Sequence, residues 1–223
     1  MAKTAILIDG AFYRFRARLM KGKQTPENRA KELMNYCYAH LKEASGATDD
    51  ELYRIFYYDC PPIGKKIQHP LTKEEIDLSR TPQHDWLLEF INQMKKQRKV
   101  ALRLGRLSEE TAGYMLTEAA VKKICNGSVK LQDLKEGDFE LNVKQKGVDM
   151  KIGVDIASIA YKKQVDRIIL IAGDSDFVPA SKLARREGID FVLDPMWNHI
   201  NTDLYEHIDG LHSCWPNPIK QKK

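Results

Sequence analysis

The sequence predicts an α/β domain whose central sheet is mostly parallel and covered by helices on both faces. Three observations lead there. Two short runs, 5–8 (AILI) and 168–172 (IILIA), are wholly apolar, as strands buried on both faces are. Strand-like runs alternate with helical patterns along most of the chain, the order of a parallel sheet built from crossover units. The runs also stop at acidic turns: Asp9-Gly10, Asp59 before Pro61-Pro62, and Gly173-Asp174.

Taken in order, residues 5–8 are the first strand. A helix follows through Phe12, Phe15 and Leu19 and stops near Gly22. A second helix begins after Pro26 and runs to about Glu43, with Leu33, Tyr36, Cys37 and Leu41 on one face. Residues 52–58 (LYRIFYY) are rich in aromatic and β-favouring residues and read as the second strand. Residues 60–80, with Pro61, Pro62, Gly64 and Pro70, read as an irregular excursion. Thr81 then caps a helix with Pro82 at its first position, and Trp86, Leu87, Phe90, Ile91 and Met94 mark its apolar side. Residues 100–104 (VALRL) are a third strand. The stretch 105–147 reads as an elaboration on the core. In it, a helical pattern over 111–124 ends at Asn126-Gly127, and strand-like pieces near 128–131 and 138–144 pair as a hairpin. The last third alternates clearly: a helix over about 149–163, the strand 168–172, a helix 177–187 stopped by Gly188, a strand 189–193 and a final helix over about 201–211. One domain is thus expected over 1–214, with an insertion at about 105–147. A basic tail, 215–223, carries Lys220, Lys222 and Lys223.

Composition bounds the function. Apolar residues make up 43% and charged residues 30%, which is globular rather than disordered. No apolar run reaches about 18 residues, so no membrane span is expected, and residues 1–4 lead into a strand without a signal-peptide pattern. Cys37, Cys60, Cys125 and Cys214 are scattered with no CxxC pair. They read as free thiols of a reducing cytoplasm, neither a disulfide framework nor a structural zinc site. The six histidines show no metal spacing, and no Walker loop or GxGxxG implies a nucleotide cofactor. The net charge of +5 is unevenly spread. Residues 14–31 hold seven Lys or Arg against Glu27, and 95–106 hold six with no acid. Basic clusters beside an acidic site suit a polyanion gripped by its phosphates.

Ligands of open parallel sheets bind beyond the carboxyl ends of the strands, so the residues there are the ones to inspect. Asp9 follows the first strand. Asp174 and Asp176 follow the strand 168–172, and if that segment stays extended both point to one side. Each also has a local account: Asp9 can serve its turn, and Asp176 or Ser175 can cap the next helix. Three such residues at strand ends are harder to explain by capping than one. Asp155 lies within an apolar helix, where an ionised carboxylate must be paired or bound to a metal. Gly153 beside it costs about 1 kcal/mol relative to Ala, which points to a close backbone approach. Asp149 opens the same helix. Asp149 and Asp155 stand about 120° apart around the helix and about 9 Å along it, so as helical neighbours they cannot both touch one ion, unless one acts through water or Asp149 projects from before the helix proper. The donors are all oxygens, a set that selects Mg²⁺ or Mn²⁺ over zinc. A cation held there can activate water and stabilise a phosphate leaving oxygen.

The order Ile6-Leu7-Ile8-Asp9-Gly10, then Lys146-Gly147-Val148-Asp149, Val154-Asp155, residues 168–177 (IILIAGDSDF) and Gly188 resembles the NYN family of PIN-like nucleases. The resemblance covers about 5–20 and 146–211. It implies a PIN-like three-layer α/β/α fold and metal-dependent cleavage of RNA, single-stranded RNA above all. It implies an acidic site at Asp9, Asp149, Asp174 and Asp176, with Asp155 beside them as a metal ligand. Asp59, after Tyr57-Tyr58, occupies the place of a similar tyrosine–aspartate pair and ranks below these. Ala11-Phe12 stand where many relatives carry an asparagine, which removes a hydrogen-bonding group near the substrate. The substrate phosphates are assigned to Arg14, Arg18, Lys21, Arg103 and Arg106.

Three other readings compete. A phosphatase of the haloacid-dehalogenase type also starts with a strand ending in Asp, but needs a second aspartate where Ala11 stands. A serine esterase using Ser175 would need a base that nothing nearby supplies, with Asp203 and His207 on the last helix. A catalytically inactive RNA-binding or partner-binding module on the same fold is the remaining alternative. Trp86 and Trp197 are expected in or near the core.

Overall fold

The computed structural model describes residues 2–42 and 50–218; the lysines of the basic tail, Lys220, Lys222 and Lys223, lie outside these. In chain order the elements are β1 (Lys3–Asp9), α1 (Gly10–Lys21), α2 (Pro26–Ala39), β2 (Glu51–Asp59), β3 (Lys66–Gln68), β4 (Glu75–Asp77) and α3 (Pro82–Lys95). Then come β5 (Val100–Leu104), β6 (Arg106–Leu107), β7 (Gly113–Leu116), α4 (Glu118–Cys125), β8 (Phe139–Asn142), β9 (Gln145–Lys146) and α5 (Val148–Tyr161). The chain closes with β10 (Arg167–Ile171), α6 (Val178–Arg186), β11 (Asp190–Asp194), α7 (Thr202–Tyr205) and β12 (Gly210–Leu211).

Six strands form one sheet in the order β12-β11-β10-β1-β2-β5, and every neighbouring pair is parallel. Because side chains alternate across a strand, the wholly apolar β1 feeds two cores. Ala5 and Leu7 join Phe56, Ile168, Leu170, Phe191 and Leu193 beneath α5 and α6. Ile6 and Ile8 join Ile55, Tyr57, Ile169 and Ile171 beneath α1, α2 and α3. The central strands are therefore apolar on both faces, each buried aliphatic side chain contributing about 1.5–3 kcal/mol. No described helix is long and apolar enough to cross a membrane.

Helix ends follow the local chemistry. Asp9, Thr25, Thr81 and Thr117 cap α1, α2, α3 and α4 through their side chains, and Gly22, at φ 73°, ends α1. Gly10 sits where α1 leaves the sheet. A Cβ there would lie 2.6 Å from the Tyr58 carbonyl oxygen and against the Tyr57 ring. Gly10→Ala is expected to destabilise the fold by about 3 kcal/mol, read as a lower midpoint in chemical denaturation.

Several expectations are corrected. The exposed side of α1 carries Phe15 and Leu19, at 63% and 62%, while Tyr13 and Ala17 are buried. Residues 66–68 and 75–77 pair as an antiparallel hairpin within the supposed irregular excursion. In the insertion, β7 precedes a shorter helix and pairs with β8, while β6 pairs with β9. The expected hairpin of 128–131 with 138–144 does not form. The last helix is only α7, and residues 210–211 instead extend the main sheet. Helix α5, apolar on nearly all sides and so expected to be largely buried, is exposed along Met150, Val154 and Tyr161. Among the described residues nothing comes within 4 Å of a Cβ placed on Gly153, so no close approach among them explains that glycine. Trp197 is exposed rather than in the core.

Candidate active site

The chain enters the sheet at β1 and builds outward in both directions: β2 and β5 on one side, β10, β11 and β12 on the other. The crevice beyond β1 and β10 is thus a topological switch point, where α/β sheets bind ligands. Asp9 ends β1 on one side of it. Asp174 and Asp176 follow β10 on the other. Asp149 comes from the start of α5, and its carboxylate interacts with Asp9, Asp174 and Asp176.

Each of the four is positioned by local structure. Asp9 Oδ1 accepts the Phe12 N–H at 3.1 Å, so the side chain that caps α1 is also aimed along the sheet edge. The segment after β10 does not stay extended. Residues Ser175–Phe177 form a 3-10 turn, and Asp174 Oδ1 accepts the Asp176 N–H at 3.0 Å. It is Asp174, rather than Ser175 or Asp176, that caps this turn. Gly173 permits the arrangement, since a Cβ there would meet the Phe12 ring at 2.6 Å. Gly147, in the left-handed region at φ 81°, turns the chain into α5. Asp149 therefore sits in the first helical turn instead of capping it, where the helix dipole favours a carboxylate.

The electrostatics are those of like charges held together. Burial pushes the Asp9 carboxyl above the ordinary carboxylate value and Asp149 adds to the rise, while the Phe12 N–H and the Arg14 charge oppose it. Burial also raises Asp149, and the charges of Asp174 and Asp176 raise it further. Among the described residues none of the four forms an ion pair. A raised folded value means that the stabilising contribution of Asp9 and Asp149 is present at low pH and lost as pH rises through it. Added Mg²⁺ is therefore expected to raise the melting temperature of chelator-treated protein near neutral pH. The effect should fade at acidic pH, where Asp9 and Asp149, raised above the ordinary carboxylate value, hold their protons. A thermal melt at the two pH values checks this. The donor set, oxygen only and with no ion-paired cation among the described residues, fits a hard divalent ion. The four carboxylates do not, however, bring three oxygens within 4.8 Å of one another, so cation binding would have to draw them inward.

Two further aspartates are accounted for by the protein itself. Asp155 Oδ2 accepts Arg103 Nε and the Tyr58 hydroxyl, each at 2.8 Å, and Arg103 also lies over the Phe56 ring. The pairing that a carboxylate on α5 requires is thus met without a metal. Asp59 is fully buried. It accepts the Tyr57 hydroxyl at 2.7 Å and the Cys60 N–H at 2.8 Å, and forms an ion pair with Arg14. Burial pushes the Tyr57 hydroxyl up to about 12, so it remains the donor. Arg103 and Arg14 are accordingly held by carboxylates.

The basic residues divide in the same way. Arg16 donates to the Met196 carbonyl and Arg29 to the Gly22 carbonyl, while Lys21 lies over the Trp215 ring. Arg106 is exposed on β6. Between α1 and α3 runs a groove of about 540 Å³ lined by Ala11, Arg14, Arg18, Lys23, Phe15 and Trp86, among others. It opens two residues from Asp9. Sequence reasoning found its arginines but missed its aromatic wall, since Phe15 and Trp86 carry the spacing of core residues.

A search of curated proteins finds no match. Among solved structures, the chain is similar to VPA0982, a protein of unknown function from Vibrio parahaemolyticus RIMD 2210633. The two share 16% identity over 94% of this chain and 91% of that one, with a TM-score of 0.44. The family model for the NYN domain matches residues 3–209. With a parallel sheet flanked by helices and that match over nearly its whole length, the chain belongs to the NYN family of PIN-like nuclease domains.

Proposed function

We propose that the protein is a metal-dependent ribonuclease that hydrolyses RNA phosphodiester bonds, as an endonuclease, at Asp9, Asp149, Asp174 and Asp176. The observation that carries this reading is the gathering of four carboxylates, none in an ion pair among the described residues, at the switch point of the sheet. Bound Mg²⁺ or Mn²⁺ would activate water and stabilise the leaving oxygen. The chain's own part is to orient. Asp9 and Asp174 are fixed by the backbone N–H groups of Phe12 and Asp176, and Asp149 by the first turn of α5. Arg18 and Lys23 in the groove would hold substrate phosphates, and Phe15 and Trp86 offer faces on which unpaired bases stack. Single-stranded RNA suits such a groove better than a duplex.

Cleavage of labelled single-stranded RNA should vanish in EDTA and return with Mn²⁺ or Mg²⁺. Binding should weaken steeply as salt rises. Undiminished cleavage in EDTA would remove the metal mechanism, and salt-independent binding would remove the phosphate grip. A second reading, an inactive RNA-binding module on the same fold, draws on one observation. The carboxylates stand farther apart than a ready-made ion site. Binding without cleavage under every metal condition would favour it.

A further inference from the structure

We propose that His40, His212 and Cys214 form a second metal site, one that takes Zn²⁺ or a similar borderline cation and is independent of the carboxylate cluster and of the ribonuclease reading. His40 ends α2, and His212 and Cys214 follow the edge strand β12, so residues far apart in sequence meet here. Their ligand atoms all lie within 4.8 Å of one another. A point central to three atoms at that spacing is about 2.8 Å or less from each, so bonds of ~2.0–2.3 Å need only a small contraction.

The orientation of His40 is the second observation. Its side chain is fully buried, and Nε2 lies 2.8 Å from Asp194 Oδ2. Nδ1 is buried with no hydrogen-bond partner among the described residues. A buried ring nitrogen left bare is costly, whereas a metal-ligating histidine characteristically turns its other nitrogen to a carboxylate. Asp194 is itself rigid, since Tyr36 and Ser213 hydroxyls and the Met196 N–H all donate to it. With Nε2–H given to Asp194, Nδ1 has its lone pair free for a cation. The His212 ring meets His40 edge-on with centroids 5.4 Å apart. His212 is exposed and Cys214 partly so, which leaves a route in for the ion and room for a water ligand. Coordination would displace the Cys214 thiol proton to solvent. Two imidazoles and a thiolate select zinc-like ions, whereas the carboxylates select Mg²⁺ or Mn²⁺, so one chain would sort two classes of metal. The bound ion would clip the two-residue edge strand and the segment after it to α2.

Titration of the metal-free full chain with Co²⁺ tests this, because only a thiolate ligand produces a sulfur-to-cobalt charge-transfer band. The expected result is one equivalent of such a band, displaced by Zn²⁺ and untouched by excess Mg²⁺. Cys214→Ser should abolish it, and His212→Gln, at an exposed position, should weaken Co²⁺ affinity at least tenfold. Cys125→Ser and Asp174→Asn should leave it intact. Absence of the band in wild type, its survival in Cys214→Ser, or its loss to Mg²⁺ would overturn the site. Should Cys214→Ser fail to fold, the wild-type titration and His212→Gln decide alone.

Discussion

Asp174→Asn is expected to lower RNA cleavage by about two to three orders of magnitude, about 2.7–4 kcal/mol of barrier, while leaving RNA binding and folding intact. The three readouts separate because of what the substitution keeps. Asparagine retains an Oδ1 that can accept the Asp176 N–H, as Asp174 does at 3.0 Å, so the turn after β10 persists. What it loses is one negative charge beside Asp149, which that charge pushes upward. Without metal, the variant should melt at the same temperature as wild type or slightly above it, since repulsion within the cluster has eased. RNA affinity should hold or tighten for the same reason. If Asp174 were only a cap, the variant would melt earlier and lose binding and cleavage together. Equal cleavage by the two proteins would remove the catalytic assignment and leave the RNA-binding module as the better reading. Parallel melts in EDTA, RNA binding in Ca²⁺ and cleavage in Mg²⁺ distinguish these outcomes.

What could be read from the sequence was what local patterns decide. β1 and β10 announce themselves because strands buried on both faces need apolar residues at every position. Asp9 and Asp174 stand out because such strands end where polar ligands bind. α1 was misread for a related reason. Phe12, Phe15 and Leu19 make one helical stripe and Tyr13 and Ala17 another, and only the sheet above decides that the second is buried. β12 was missed because two residues carry no period, and their pairing with Val192 and Leu193 is entirely tertiary. The same holds for β6 with β9 and β7 with β8, which join segments about 23–40 residues apart whose loop closure no local pattern reports. Asp155 is legible as a carboxylate on an apolar helix, but its partner Arg103 is on β5, beyond any local pattern. The cluster of His40, His212 and Cys214 spans nearly the whole chain and has no spacing signature at all.

Arg14→Ala and Arg18→Ala, one helical turn apart on α1, are expected to fail in different ways. Arg14 reaches back beneath the groove to Asp59, which is fully buried, and its guanidinium also donates to the Tyr57 hydroxyl at 3.1 Å. Removing it strands a buried carboxylate, a loss of about 3 kcal/mol or somewhat more. For a chain of this size that corresponds to a melting temperature lower by roughly 6–12 °C. It also removes the positive charge that opposes the rise at Asp9, so the Asp9 carboxyl should titrate still higher and the activity profile shift toward alkaline pH. Arg18 lines the same groove with no ion pair among the described residues. Its loss should leave the folding stability within about 0.5 kcal/mol of wild type, as for surface substitutions generally. RNA affinity should fall, and the slope of log affinity against log salt should flatten by about 0.7, the share of one phosphate contact on a single strand. Asp59→Asn gives the converse control: it keeps the Tyr57 and Cys60 donors served but uncouples Arg14, so it should melt early with its salt slope unchanged. If Arg14→Ala melts normally and flattens the salt slope as Arg18→Ala does, then Arg14 faces the RNA in solution and the pair with Asp59 is not what holds it.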